Sequence, residues 1–532
     1  MAMTRSTFAG FTTAQLALAA SQRALDVTGQ NLSNVNTKGY TRQRLDLASI
    51  SPTGASYFMA QTDCRVGQGV EMTGVIQIRD PFLDIQYRNQ LAKVGTVDAQ
   101  DSILKQIGEI FDELDKTAVQ AGLEAVVSAL KEMSQPNNSN QGASDTLVRS
   151  SFETLLNVIH EHASTLGTVR EDVISEMGST DIPNINQYLD SIVELNKSIK
   201  STQILGGSAL ELQDQRNSLI DELATYFPID VEYEDLNLGG GIKVDTLKIT
   251  LKGADGTKYV LLDDANHGSV SFEAGADGKG KVSVTHITAK NADGSVTMQG
   301  PDDITDNLAH GVLKGNLDAL NKSGGFDDPP SDFNGIGYYE KLFDSVVNTM
   351  VTTLNDLNIA AGGEALFTTT TGATTGFTAS NTKVSDKWVN GEVRIITAVK
   401  NPDGSDAPDD TTANVNVLKM IDALEAKELE FKSDAADNPN YIAFKGTVFG
   451  AYNKIGSLQS IDRKATDAVL TNRLSVLNEI ADNKDAVSGV YMDEEVMNLM
   501  RYQQSYNAAA RLMTTLDEAL NTLINNTGVV GR

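Results

Sequence analysis

At 532 residues the chain is longer than a single hydrophobic core can organise, so several domains are expected. A composition of 40% hydrophobic and 21% charged residues is that of a globular protein, and no apolar run approaches a membrane span. The formal charge of −28 argues against nucleic acid and against anionic membrane surfaces as partners.

That charge is unevenly placed. Residues 1–95 and 486–532 together hold twelve basic and eleven acidic side chains, so the acidity belongs to the middle. Near-neutral ends around an acidic middle are expected if the ends pack against copies of themselves and the middle faces water.

Residues 8–41 form one long helical pattern. Phe11, Ala14, Leu18, Ser21, Leu25, Thr28, Leu32 and Val35 step alternately by three and four residues, the spacing of a coiled-coil seam. The short apolar run at 14–20 resembles a secretory leader. Its heptad continues unbroken to Val35, so no cleaved signal peptide is expected. The pattern breaks at 34–39, where Gly39 suits the left-handed residue after a helix end. Leu45 and Leu47 then alternate as in an extended segment, and 51–79 reads as loop and strand. Cys64 is the only cysteine, which excludes an internal disulfide and a thiolate metal cluster, and it is expected to be an inert packed residue.

Asp80 and Pro81 read as the cap and first residue of a helix. Helical spacing runs from Phe82 to about Met133 and ends at Pro136. A second long helix carries Val148, Phe152, Leu155, Ile159, His162, Leu166, Val169 and Val173, with His162 on its seam or surface. Pro183 opens a further helix, and another runs from about Ser208 to Phe227. At Pro228 the character switches: alternating runs such as 246–251 are separated by Asp255-Gly256, Asp277-Gly278 and Asp293-Gly294, the pattern of an antiparallel β domain.

Helical signals resume at 303–358. A mixed segment follows at 361–440, with a strand predicted over 392–399 and a helix over 416–429. A long helix returns from about Ile442. After a break at 487–490, the terminal helix repeats the three-four seam through Leu499, Tyr502, Tyr506, Ala509, Met513, Leu516, Leu520 and Leu523.

The expected fold is therefore α+β and multidomain. An elongated helical stalk is formed by paired N- and C-terminal coiled-coil helices plus a helical bundle, and it carries a β-rich insertion and a second mixed insertion. The expected divisions are 1–41, 42–227, 228–302, 303–360, 361–441, 442–490 and 491–532.

No catalytic signature is present. There is no His-Glu-x-x-His, nucleophile elbow or dinucleotide fingerprint, and the five histidines lack ligand spacing. Gly239-Gly240-Gly241 has no following Lys-Ser/Thr, and the Asp-Gly pairs lack the spacing of a calcium loop. No catalytic, cofactor or metal residues are assigned, and no enzymatic function is expected.

The run from Ala24 to Gln43, with Asn31-Leu32-Ser33-Asn34 and Gly39-Tyr40-Thr41-Arg42-Gln43 at its heart, resembles the signature of bacterial flagellar rod, hook and hook-associated axial proteins. The run from Met500 to Leu520 resembles the matching C-terminal end. Gly39-Tyr40-Thr41-Arg42-Gln43 and Asp214-Gln215-Arg216-Asn217-Ser218-Leu219-Ile220 resemble the branch found at the hook–filament junction. Lys38 departs from the proline usual before that glycine.

The resemblance implies a structural subunit of a junction ring between hook and filament. Its partners would be copies of itself, hook protein, the next junction protein on the filament side, and an export chaperone at the C-terminal helix. It implies an extracellular place on the flagellum, reached through the flagellar export apparatus without a cleaved signal. Assembly is expected to use Phe11, Leu18, Leu25, Leu32, Val35, Gly39 and Tyr40 at one end. At the other it would use Leu499, Tyr502, Tyr506, Met513, Leu516, Leu520 and Leu523. The alternatives are a hook or distal-rod subunit, or an exported adhesin or enzyme using the insertions.

Overall fold

The computed structural model describes residues 7–50, 69–111, 113–135, 141–239, 242–291, 295–398, 414–432, 438 and 441–525. Cys64, Pro136, the Gly240-Gly241 pair and Asp293-Gly294 lie outside the described residues. The chain begins with helix α1 (Thr7–Ser33) and a two-stranded antiparallel ribbon, β1 (Gln43–Ser49) and β2 (Val70–Gln77). Helices α2 (Pro81–Ile110), α3 (Glu113–Met133), α4 (Gln141–Glu176), α5 (Ile182–Ile204) and α6 (Leu210–Tyr226) follow.

The sheet strands are β3 (Ile229–Gly239), β4 (Ile242–Lys252), β5 (Lys258–Asp263), β6 (Asn266–His267), β7 (Ser269–Ala274), β8 (Gly280–Lys290) and β9 (Val296–Asp303). Next come α7 (Val312–Asn321), α8 (Ile336–Ala360), β10 (Phe367–Thr369), β11 (Thr382–Val384), α9 (Asp386–Val389) and α10 (Val415–Glu425). The chain closes with β12 (Leu429–Lys432), β13 (Ile442–Gly446), α11 (Val448–Ser488) and α12 (Met492–Asn525).

The large sheet is antiparallel, in the order β3-β4-β5-β8-β7, with β6 beside β5 and β9 beside β8. Alternation decides which side it buries. Leu247, Ile249 and Leu251 on β4, with Val282 and Val284 on β8, are almost fully buried. They join the helical core through α5 and α7. One continuous apolar core runs from Ile103 through the sheet to Trp388 and Ile455, so helices and strands share an interior.

Away from that body, α1 packs along α12. The β1–β2 ribbon covers a second side of α1, where Gly69 lies against Leu16 and Thr13. The two-sided grip explains which α1 positions are buried. Ala20, Ala24, Val27 and Asn31 are buried, one residue out of step with the predicted seam at 21, 25, 28 and 32. Of that predicted seam, Ala14 and Thr28 are also buried.

Several local expectations are corrected. The helix predicted from 82 to 133 is two helices, α2 ending at a buried Phe111 and α3 starting at Glu113. Pro183 does not open a separate helix. α4 runs into α5 through a five-residue π-turn at Met177–Asp181. A proline interrupts the α hydrogen-bond ladder and crowds the carbonyl four residues back, and a widened turn just ahead of it accommodates both effects.

The predicted strand at 392–399 is absent over 392–398, and Val399 lies outside the described residues. There the Ile395 N–H donates to Asp145 Oδ1 at 2.9 Å and the Ile396 N–H to Asn358 Oδ1 at 2.9 Å, so side chains replace a partner strand. The helix predicted at 416–429 ends at Glu425, and Leu429 begins a strand. Helical structure predicted through 303–358 is confined to α7 and α8, apart from one short 3₁₀ turn at Gly324–Phe326. His162 lies on the buried seam of α4, in line with Ile159 and Leu166, and not on its surface. It is buried among Phe111, Phe343 and Tyr452, with its Nδ1 3.0 Å from the Tyr452 hydroxyl.

Candidate functional site: the joint between the paired ends and the body

The N-terminal signature lies where the α1–α12 pair meets the body, and most of its polar residues are bonded within the chain. Asn31 is 1% exposed. Its Oδ1 accepts from the Gln43 N–H at 3.0 Å and from the Tyr40 hydroxyl at 3.0 Å. Its Nδ2 donates to the Gln43 carbonyl at 2.9 Å and to Glu495 Oε2 at 3.2 Å. One buried amide thus fixes the chain reversal after α1 and touches α12 as well. A buried polar group of this kind is stable only because all its valences are used.

Thr41 binds the body. Its N–H donates to Asp214 Oδ2 at 3.0 Å and its hydroxyl to Asp214 Oδ1 at 2.6 Å. Arg42 binds the last helix, with Nε 2.8 Å from Glu495 Oε1 and Nη1 2.8 Å from Glu494 Oε2. Its own N–H donates to the Ser488 carbonyl at 2.8 Å. Gln43 Nε2 donates to Glu211 Oε1 at 3.1 Å. Gly39 turns the chain at φ +80°, the left-handed conformation that favours glycine.

A second layer of charge lies beneath. Arg79 binds Asp84 at 2.6 Å, Arg88 binds Asp221 at 2.7 Å, and Lys484 reaches both Asp221 at 3.0 Å and Asp84 at 3.3 Å. Burial alone would raise the Asp84 carboxyl. The hydrogen bond and charge of Arg79, with Lys484 and Arg88 behind it, hold it below the ordinary carboxylate range. At Asp214 burial wins over the Thr41 hydrogen bonds, and the carboxyl is raised. Burial and the charges of Glu211, Asp214 and Glu495 raise the Tyr40 phenol.

The internal motif at 214–220 belongs to the same construction. Arg216 is 1% exposed and pairs with Asp245 on β4 at 2.5 Å, while its Nη1 donates to Asn196 Oδ1 at 2.9 Å. Asn217 Oδ1 accepts from the Tyr233 hydroxyl. Above these lies an open groove of about 820 Å³ between the 34–41 turn, α2, α6 and the end of α11. Asn36, Tyr87, Lys484 and Tyr491 are among its lining residues.

The sequence-predicted assembly residues fall into two groups. Gly39 and Tyr40 are in the joint. Phe11, Leu18, Leu25 and Leu32 are half-buried along α1 and Val35 in the turn after it, as are Leu499, Tyr502, Tyr506, Met513, Leu516 and Leu520 along α12. Leu523 is 52% exposed. The pair packs closely at Gly10, where a methyl group would lie 3.3 Å from Leu516.

Periodicity alone missed Glu495, Asp84, Arg88, Asp221 and Lys484. Charged residues on otherwise polar helices carry no pattern that marks them as paired. Among the described residues no group of three or more His, Cys, Asp or Glu could hold a metal ion, and no helix is long and apolar enough to cross a membrane.

Comparisons with known proteins agree with this architecture. Residues 104–367 match the flagellar hook-associated protein FlgK helical domain. Residues 11–41 match the flagella basal body rod protein family, and 486–526 match the flagellar basal body rod FlgEFG protein C-terminal family. Flagellar hook-associated protein 1 of Bacillus subtilis is 28% identical, over 99% of this chain and 100% of that protein. The protein of the same name from Salmonella typhimurium is 24% identical, over 96% and 98%. The solved structure of the flagellar hook junction protein FlgK from Burkholderia pseudomallei shares the fold, with a TM-score of 0.54 at 11% identity over 76% of this chain and all of that one. The chain belongs to the flagellar hook-associated protein 1 family.

Proposed function

We propose that this protein is a non-enzymatic building block of the flagellum, forming the junction ring between hook and filament on which the filament assembles. One observation carries the reading. In the 34 residues of α12 only Glu495 and Ala509 are buried, while Met492, Met497, Met500, Leu512, Leu523 and Ile524 are each about half exposed or more. An apolar surface of that extent on an acidic protein calls for protein partners. The helix is complete only when neighbours cover it.

The α1–α12 pair is then the assembly element, and the acidic body faces water. Its contacts would be copies of itself, hook protein on one side and the next junction protein on the other. Before export, a chaperone would cover the apolar face of α12. The place of action is extracellular, reached through the flagellar export apparatus. The expected divisions at 42–227, 228–302, 303–360, 361–441 and 442–490 are read as parts of this one body.

A deletion strain tests the reading. It should build hooks, lack filaments and shed unpolymerised flagellin. A strain without hooks would instead support a hook or distal-rod role, and normal filaments would reject both.

A further inference from the structure

The chain carries 71 acidic side chains against 43 basic ones, so basic groups gathered in one place run against its net charge. Several gather at one corner of the body, where α7 begins between α2 and α11. His310 precedes the helix, Lys314 lies in its first turn, Lys93 comes from α2 and Arg473 from α11. All four are partly exposed. The backbone is held firmly there: the Gly311 N–H donates to Thr96 Oγ1 at 2.7 Å, and Gln90 Nε2 donates to the Arg473 carbonyl at 2.9 Å.

No side chain caps α7 and its first turn holds no acid, so the positive end of the helix adds to the same field. Lys314 shares Asp318 (3.0 Å) with Lys322 (2.9 Å) and with Gln100 Nε2 (3.2 Å). Lys93, His310 and Arg473 form no ion pair among the described residues, and Arg473 Nε is buried without a hydrogen-bond partner. Burial, Arg473, Lys93 and Lys314 together push the His310 imidazole below its ordinary value. Lys93 and Arg473 therefore carry charge without an ion-pair partner among the described residues, while Asp318 offsets Lys314 and the lowered His310 favours its neutral form.

We propose that this corner is a contact between copies of the chain, receiving carboxylates from the acidic body of a neighbouring subunit. The inference rests on the ring assembly proposed above. It supplies something such a ring needs. Bodies that each carry all of the chain's net negative charge repel when brought side by side, and a basic corner on each offers the neighbour a place where approach is favourable. Head-to-tail pairing of unlike patches is also the arrangement that closes rings.

The test uses the full chain in cells lacking the native copy, with a photo-cross-linking residue in place of Lys93 and half the subunits isotopically labelled. Isolated hook–filament particles should give a homotypic product between labelled and unlabelled copies, mapped to an acidic segment of residues 96–485. Lys93→Glu with Arg473→Glu should lower retention of the subunit in those particles at least fivefold without shifting monomer melting. If that variant misfolds, Lys93→Met with Arg473→Met carries the same expectation.

Products only within one copy or only with another protein would overturn the proposal, and so would unchanged retention. Stabilisation of the monomer by inorganic phosphate without any homotypic product would show a free-anion site and overturn it too. If the wild-type subunit is itself missing from the particles, the junction reading fails instead.

Discussion

Arg42 and Glu495, 453 positions apart, meet in a charge-assisted contact of 2.8 Å from Nε to Oε1 at the base of the paired end helices. Glu495 is 2% exposed, and its second oxygen takes the Asn31 amide. The first and last helices are therefore tied to one turn of chain, and that turn is tied to the body by Thr41 and Asp214.

Glu495→Ala should loosen the paired ends without melting the body. Removing one member of a buried ion pair costs about 3 kcal/mol. The loss is local because α12 reaches the body mainly through this joint. Amide exchange in α1 and α12 is expected to rise about a hundredfold, while α5 and β4 stay protected.

Leu516 lies against Gly10 where α1 and α12 pack together. Leu516→Lys, and likewise Leu25→Lys, should abolish incorporation into the flagellum and leave the body folded. The measurements are motility and circular dichroism. Normal swimming, or an unfolded body, would count against this account.

Asp344 and Asp181 make the body more stable in mild acid than at neutral pH. Burial pushes Asp344 up to about 6, helped by Glu340 and opposed by the Ala379 N–H that it accepts at 2.7 Å. Asp181 is likewise raised to about 6, by burial and Glu176 against the Asn316 hydrogen bond. A carboxyl raised in the folded state favours folding while protonated, and that contribution is lost as pH rises from about 4 through 6. Asp344→Asn should match the wild type at pH 4 and exceed it by about 2 kcal/mol at pH 7.5, read from urea melts. Identical pH profiles would rule this out.

Gly311 holds φ +110°, and a Cβ there would fall within van der Waals contact of the Tyr226 carbonyl. Gly311→Ala should therefore cost about 3 kcal/mol or more, seen as a drop in the urea midpoint. A conservative change at an exposed glycine such as Gly372 has no neighbour to clash with and serves as the control for loop strain alone.

The limited proteolysis pattern of the isolated subunit bears on the seam itself. Ala14, Ser21 and Thr28 bury little apolar area, so at about 25 cal/mol per Å² the α1–α12 pair gains little by itself. Cleavage is expected first within residues 7–40 and 500–525, ahead of the sheet and α4–α5. Equal resistance would mean that the ends are ordered without neighbours.

Much of this architecture was legible in the sequence because it is periodic. The three-four spacing marked both end helices, the alternation at 246–251 marked β4, and Gly39 marked the left-handed turn that lies beyond α1, which itself ends at Ser33. Where the reading failed, a local signal was overruled by distant groups. Pro183 reads as a helix start, yet the core on both sides keeps one continuous helix and the strain is absorbed by a π-turn. Ile395 and Ile396 read as strand, yet Asp145 and Asn358 take their N–H groups.

The joint shows the same division. The motifs at 24–43 and 214–220 were visible as strings of residues, but not that Thr41 of one binds Asp214 of the other. Nor does any spacing show that Glu495 is buried under Arg42. Periodicity reports which face of an element is apolar, and it determined the helices, the sheet and the unmatched surface of α12. Pairing among isolated polar residues depends on which elements the fold brings together, and only the tertiary structure decided that.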